Sequence, residues 1–277
     1  MKILITGAAG QLGTALQASL SQHRLALVDL PEVDITDYHA IAHEIAAFVP
    51  DIVIHCAAYT DVDGCARDPE LAYRVNGLGT QNVALACLES GAQMVHISTN
   101  EVFPGRRPEG YEEWMPVEPI NPYAVSKVAA EFYVRGIVAR HYIVRTAWLY
   151  APGGRNFVHA ILRAAEQHNR LRVVADEIGN PTYVEDLVQA IGALIQTGQF
   201  GTYHLVNEEA CSRLQFAQEA LRLSGLGDVP ITPILAEDYK RDSSPPLAAA
   251  LKNIAAAAIG IRLRPWQDAL ADYLAAK

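Results

Sequence analysis

The sequence is poor in cysteine, and its histidines form no metal-binding pattern. The four cysteines, Cys56, Cys65, Cys87 and Cys211, include no CxxC pair and no cysteine–histidine spacing of a metal site. The nine histidines form no HExxH motif, and no GxSxG motif marks a serine nucleophile. We therefore expect buried, reduced thiols, no metal ion, and neither metal-dependent nor serine hydrolysis.

An excess of positive charge and a long hydrophobic run are also missing. The formal net charge is -9 without blocks of like charge, which argues against a nucleic-acid or membrane-surface partner. No apolar stretch reaches membrane-spanning length, and no charged leader precedes an apolar core and a cleavage site. These absences predict a cytoplasmic protein. Its 277 residues, 51% hydrophobic, can build one large domain, or one and a half, around a substantial core.

The most informative stretch is the beginning of the chain. An apolar run of strand length enters the turn Gly7-Ala-Ala-Gly10-Gln-Leu-Gly13, and a helix with a leucine at every fourth residue follows. In such a turn Gly7 permits the tight bend, Gly10 lets the backbone approach a ligand, and Gly13 lets the helix lie close to the sheet. The start of the helix would then bind a pyrophosphate through its free N–H groups. The GxxGxxG spacing differs from GxGxxG, and a strand–turn–helix without a ligand is the alternative.

Apolar segments continue to alternate with helical patterns along the chain. Residues 51–58 are apolar on both faces, as expected of a central parallel strand. The alternation predicts an α/β fold: a Rossmann-type, doubly wound parallel sheet with a smaller C-terminal α/β substrate-binding lobe. We assign residues 1–150 and 176–206 to the dinucleotide-binding domain, and residues 151–175 and 207–277 to the lobe.

Asp29 ends the second apolar run, about 20 residues beyond Gly7, where dinucleotide folds place an acid that binds the adenosine ribose. Such an acid favours NAD(H), because it would repel a 2′-phosphate. A solvated acid at a strand end is the alternative. Asp34, a little further on, begins a helix-capping segment that we expect to lie near the adenine.

Small and polar residues follow the next two strands. Ala57 and Ala58 come after the third strand, and Thr99 and Asn100 come after the fourth. The carboxyl ends of parallel strands are where open α/β sheets bind ligands. Thr99 is therefore a candidate site residue, although it would also serve as a turn cap.

Tyr123 and Lys127 stand four residues apart at the start of a predicted helix and so share one face. A nearby ammonium favours a tyrosine phenolate, so the pair can move a proton near neutral pH. Alone, a YxxxK pair also describes a packed tyrosine beside a snorkelling lysine. Trp148, at a strand exit, is either core or the wall of a substrate pocket. The long loop 104–122 is predicted to be a functional lid, and Asn253–Ala276 to be helical.

The glycine turn, the hydroxyl after the fourth strand and the Tyr-x-x-x-Lys pair stand in the order of the extended short-chain dehydrogenase/reductase family, which the chain resembles. Within it, three segments and the Arg-Pro-Trp266 ending resemble dTDP-4-dehydrorhamnose reductases, most densely before residue 185. The segments are Ile97-Ser-Thr-Asn-Glu-Val-Phe103, Arg145-Thr-Ala-Trp148 and Asp176-Glu-Ile-Gly-Asn-Pro-Thr182. This chain departs from that group at Asn100-Glu101, where Asp-Tyr is usual, and at Arg241-Asp, where Arg-Pro is usual.

The resemblance implies reduction of the 4-keto group of a nucleotide-sugar by NADH or NADPH, with NADH favoured by Asp29. Tyr123 would donate the proton, Lys127 would bind the nicotinamide ribose and lower the Tyr123 pKa, and Thr99 would hold the carbonyl oxygen. Asn100 and Trp148 would contact the sugar. The implied cofactor contacts are Gly7, Gly10, Gln11, Leu12 and Gly13 at the pyrophosphate, Asp29 at the ribose, Asp34 and Ile35 near the adenine, and Ala57, Ala58 and Thr60 towards the other end.

Three further readings stay open at this point. The same side chains serve other nucleotide-sugar reductases, epimerases and dehydratases, so they do not discriminate among them. A non-catalytic, cofactor-binding regulatory subunit is an alternative of a different class. A homodimer is also left open.

Overall fold

The computed structural model describes residues 1–153 and 156–276. Within them the strands are β1 (Lys2–Thr6), β2 (Arg24–Val28), β3 (Ile52–His55), β4 (Gln93–Thr99), β5 (His141–Thr146), β6 (Leu149–Tyr150), β7 (Leu171–Val174), β8 (Ile178–Gly179), β9 (Thr182–Tyr183), β10 (Gly201–His204), β11 (Cys211–Ser212) and β12 (Ile231–Ile234). The α-helices are α1 (Gln11–Ser19), α2 (Tyr38–Phe48), α3 (Val62–Arg67), α4 (Pro69–Ala72), α5 (Thr80–Ser90), α6 (Pro122–Ile137), α7 (Phe157–Gln167), α8 (Val184–Leu194), α9 (Arg213–Leu223), α10 (Ile254–Ala258) and α11 (Trp266–Ala275).

A six-stranded sheet, all of its pairs parallel, organises the molecule in the order β10-β5-β4-β3-β1-β2. All four residues of β3 are buried, because helices cover both faces of the sheet. Helices α1 and α8 pack on one face through residues such as Leu16 and Val188, and α2, α5 and α6 pack on the other through residues such as Ile45, Val83 and Val134. The predicted doubly wound parallel sheet is confirmed.

Much of the later part of the chain lies outside this sheet. Three small pairs of strands, β12 with β7, β11 with β8 and β6 with β9, accompany α7, α9 and α11. An aromatic cluster that includes Tyr150, Phe216 and Tyr273 packs among these elements. The domain boundaries stay a prediction, and Gly154 and Arg155, within the segment assigned to the lobe, lie outside the described residues.

Three local features of the helices differ from what the sequence pattern indicates, and one of them corrects a prediction. Helix α3 was not predicted, because it is short and has no apolar period; Asp61 caps it by accepting from the Gly64 N–H. A π-helical segment, Tyr73–Gly79, joins α4 directly to α5. The helical end 253–276 is divided into α10 and α11 by a break in which Gly260 has a φ of 82° and Pro265 precedes α11.

The predicted lid is fastened to the C-terminal part of the chain. The Tyr111 N–H donates to the Ala250 carbonyl at 2.8 Å, and the Lys252 N–H donates to the Tyr111 carbonyl at 2.8 Å. Tyr111 is buried and stacks on Phe103 with ring centroids 4.3 Å apart. The loop is therefore packed as a wall in this structure.

No helix in the described part of the chain is both long enough and apolar enough to cross a membrane.

Candidate active site

The glycine turn between β1 and α1 is as tight as its spacing predicts. Gly7 has a φ of 67°, and a Cβ there would lie 2.6 Å from the Ala57 nitrogen. A Cβ on Gly13 would lie 2.2 Å from the Gly7 carbonyl oxygen. A side chain at either position would collide with backbone, so these two glycines are required by close packing.

The start of α1 fits a dinucleotide phosphate. Gly10 is the N-cap of α1, which, like α8 and α11, has no side-chain cap. The first N–H groups of a helix have no partner within the helix, and together with the helix dipole they attract an anion. Gly7, Gly10 and the backbone at Gln11 and Leu12 would hold the pyrophosphate of NAD(P) here.

Asp29 braces the glycine turn. Its Oδ2 accepts from the Ala9 N–H at 2.6 Å, and its Oδ1 accepts from the Leu30 N–H at 2.8 Å. A solvated acid would make neither bond, and each carboxylate oxygen can accept a further hydrogen bond from a ribose hydroxyl. Asp34 accepts from the Thr36 N–H at 2.8 Å, whereas the Ile35 side chain is buried in the core.

The candidate catalytic residues converge where β4 ends and α6 begins. Asn121 caps α6 by accepting from the Ala124 N–H at 2.8 Å, which places Tyr123 in the first turn of that helix. The Thr99 hydroxyl accepts from the Glu101 N–H at 3.2 Å and lies near enough to the Tyr123 phenol to influence its pKa. Thr99 therefore caps a turn and also lies beside Tyr123, so the turn-cap role and the site role predicted for this residue are compatible.

Lys127 is buried beneath the site and donates from Nζ to the Ile97 carbonyl at 2.7 Å. Burial lowers its pKa to about 8, although the Glu131 carboxylate opposes that shift. The pKa of Tyr123 is raised, first by burial and then by the Glu101 carboxylate, and the nearby Thr99 hydroxyl opposes that shift. Burial and the Glu101 carboxylate set the direction of the Tyr123 pKa in this structure, and a lowering of that pKa by Lys127 stays a prediction.

A buried ion pair fastens α6 to the sheet. Arg145 on β5 donates from Nε and from one terminal nitrogen to the two Glu131 carboxylate oxygens, both at 2.8 Å. Ser98 donates to the same carboxylate at 2.6 Å, and Arg135 at 2.9 Å. The helix that carries Tyr123 is thereby held against the strands that carry Thr99 and Arg145.

Beyond Thr99 lies a polar cavity of about 260 Å³, which brings together segments far apart in the sequence. Of the predicted site residues, Thr60, Asn100 and Trp148 line it. Charged residues outside the predicted site list also line it: Asp61, Asp63, Glu101, Glu177, Arg213 and Arg241. Glu177 forms ion pairs with Arg213 and Arg241, the latter as a close contact.

Trp148 is held in a strained backbone conformation, with a φ of 46°. The Arg213 guanidinium lies 3.6 Å from the centroid of its ring. Gly179 also packs against the ring, because a Cβ at that position would lie 2.6 Å from the Trp148 Cε2. The indole is thus fixed as one wall of the cavity, as the pocket reading of Trp148 predicts.

Asn100 is buried and binds the C-terminal part of the chain, because its Nδ2 donates to the Ala249 carbonyl at 3.1 Å. Ala57 and Ala58 follow β3 next to the glycine turn. Among the described residues, no group of three or more His, Cys, Asp or Glu side chains could hold a metal ion.

Comparison with known proteins identifies the family. The RmlD substrate binding domain model matches residues 1–277. The chain is 38% identical to the dTDP-4-dehydrorhamnose reductase of Mycobacterium tuberculosis, covering 99% of this chain and 93% of that protein. It is also 38% identical to the spore coat polysaccharide biosynthesis protein SpsK of Bacillus subtilis, covering 99% and 96%.

A solved structure gives the same result. The dTDP-4-dehydrorhamnose reductase of Bacillus anthracis in complex with NADP has a TM-score of 0.96 and 36% identity, covering 100% of this chain and 99% of that one. The chain belongs to the RmlD substrate-binding-domain family of extended short-chain dehydrogenase/reductases, as its motifs predicted.

Proposed function

We propose that this protein reduces the 4-keto group of dTDP-4-dehydrorhamnose with NAD(P)H and so forms dTDP-rhamnose. As a member of its family, the chain is an NAD(P)-dependent oxidoreductase. The observation that carries the proposal is the approach of the Tyr123 phenol to the Thr99 hydroxyl, beside a polar cavity and close to the end of the sheet that carries the glycine turn.

The chain's own residues supply the proton and the orientation. The bound cofactor supplies the hydride. Tyr123 is protonated at neutral pH, which is the form that a proton donor needs, and burial raises its pKa further. The Thr99 hydroxyl stabilises the oxygen as charge develops on it. The Lys127 ammonium, charged below pH about 8, lies under the same site and would bind the nicotinamide ribose.

The far side of the cavity suits the diphosphate of a nucleotide-sugar. Arg213 and Arg241 approach it from two different segments, and Glu177 lies between them. Burial lowers the pKa of Arg213 to about 10, so its guanidinium is still charged at neutral pH. Guanidinium groups suit phosphate oxygens, and the Trp148 indole would cover the apolar face of the sugar.

NADH is the cofactor that Asp29 favours. The relative from Bacillus anthracis contains NADP, so a 2′-phosphate is accepted within the family. The two Asp29 oxygens already hold the glycine turn, and the added negative charge of a 2′-phosphate would lie beside them. We expect NADH to bind at least as readily as NADPH. Tight NADPH binding with no detectable NADH binding would refute this choice.

The function is tested by following NADH or NADPH oxidation with dTDP-4-dehydrorhamnose and with the matching UDP-sugar. Turnover with the dTDP-sugar supports the proposal, and its absence with both cofactors refutes it. Thermal melting with each pair of cofactor and sugar provides a binding readout, because a ligand of the native state raises the melting temperature.

The main rival is another activity within the same family. Asn100 and Glu101 stand where related reductases usually have Asp and Tyr, which favours a different 4-ketosugar as the second candidate. An epimerase would retain NAD through purification, and a reductase would exchange it, so the absorbance of the isolated protein separates them. A regulatory subunit would bind cofactor without turnover. The cytoplasmic location and the homodimer stay predictions.

A further inference from the structure

Glu101 faces the proposed sugar site with one oxygen anchored and one uncommitted. Its Oε2 accepts from the Asn121 Nδ2 at 2.7 Å. Within the described residues, its Oε1 has no hydrogen-bond partner. The side chain is half-buried and lines the 260 Å³ cavity together with Trp148 and Arg213.

The anchor gives Oε1 a fixed position. Asn121 is itself held, because its Oδ1 caps α6 and its Nδ2 also donates to the Ser244 carbonyl at 3.3 Å. Glu101 therefore keeps its place relative to Tyr123 without depending on a ligand. An oxygen that faces a cavity beside the proton donor is an acceptor for a hydrogen-bond donor of the substrate.

We propose that Glu101 is a specificity-determining residue whose Oε1 accepts a hydrogen bond from the hydroxyl on C3, the carbon next to the reduced carbonyl. The inference rests on the proposed function. Thr99 would hold the carbonyl oxygen, and Glu101 follows it by two residues at the same strand end. In a 4-keto-6-deoxy sugar the other carbon next to the carbonyl, C5, carries a methyl group and no hydroxyl, so C3 offers the nearest donor.

The experiment is a cycle of two enzymes and two substrates. The wild type and Glu101→Gln are compared with the dTDP-4-ketosugar and with its 3-deoxy analogue. The glutamine can keep its carbonyl oxygen on Asn121 and would present an NH₂ donor to the cavity, so the anchor is retained and the acceptor is lost. Glu118→Gln is the matched control, because it removes an exposed carboxylate from the same loop region.

We expect Glu101→Gln to lower kcat/KM for the full substrate by about 10- to 100-fold, with an unchanged KM for the cofactor. Removal of the C3 hydroxyl should cost the wild type a similar factor, and the variant should lose no more than about threefold on the deoxy analogue. Glu118→Gln should behave as the wild type does.

Two results would overturn the inference alone. One is a kcat/KM of Glu101→Gln on the full substrate within threefold of the wild-type value. The other is a loss of kcat/KM on removal of the C3 hydroxyl that is as large in the variant as in the wild type. Both require a wild type that is active on the dTDP-sugar, so an inactive wild type refutes the proposed function instead. Because the deoxy analogue tests the wild type itself, a variant that fails to fold does not remove the test.

Discussion

The cofactor turn and the sugar cavity are built in opposite ways. Residues 7–13 form the turn from one continuous stretch, in which Gly13 packs on the Gly7 carbonyl, and Ala57, at the exit of β3, packs against Gly7. The cavity is lined by residues from six separate segments of the chain, and the Glu177 carboxylate pairs both with Arg213 and with Arg241, which is 64 positions away. A site of the first kind can be read from a motif, and a site of the second kind exists only after folding.

The largest effect is expected where the two regions meet. Tyr123→Phe removes the proposed proton and leaves the turn and the cavity intact, so kcat should fall by about 10²–10⁴-fold. Cofactor binding, measured by fluorescence titration, should stay within a few-fold of the wild type. Turnover within a few-fold of the parent would contradict the role of Tyr123.

Breaking the anchor of α6 should disturb both regions. Arg145→Met leaves the buried Glu131 carboxylate without its bidentate partner and should lower the free energy of unfolding by about 3–5 kcal/mol in denaturant titrations. Arg135→Met removes a half-exposed partner of the same carboxylate and should cost less than about 1 kcal/mol. Equal losses in the two variants would show that burial does not set the strength of this contact.

A single methyl group should damage the turn alone. Gly13→Ala forces its Cβ against the Gly7 carbonyl, so cofactor binding should weaken and the free energy of unfolding should fall by about 1–3 kcal/mol. Gly136→Ala, in α6, meets no atom within 4 Å and should stabilise the protein by about 0.5–1 kcal/mol. A Gly13→Ala enzyme with normal cofactor affinity would show that the turn tolerates a side chain.

The smallest effect concerns pH. An ordinary lysine keeps its proton to about pH 10.5, but the pKa of buried Lys127 is about 8. As the pH rises through 8 the free enzyme loses this charge, so kcat/KM should fall about tenfold per pH unit. Lys127→Arg stays charged, so its kcat/KM should not fall in this pH range, even if its activity is lower throughout. A wild-type profile that is flat to pH 10 would exclude a need for the ammonium.

The same contrast explains what the sequence could predict. Local apolar periods placed β1, α1 and the central strands, and spacing alone placed the glycine turn and the Tyr123–Lys127 pair. The pKa direction of Tyr123 depends on how deeply the phenol is packed, which spacing does not contain. Arg213 carries no local signal of its role, because its partners Trp148 and Glu177 are brought to it by the fold. Helix α3 is too short to show a period.

The contact between Gly179 and the Trp148 ring has a consequence for how this pocket can change over generations. While Trp148 is present, any side chain at position 179 meets its indole, so every first step at that position is blocked. A smaller residue at position 148 would open the space and free position 179 to vary. The two positions can therefore diverge in one order only, and lineages that retain the tryptophan should also retain the glycine.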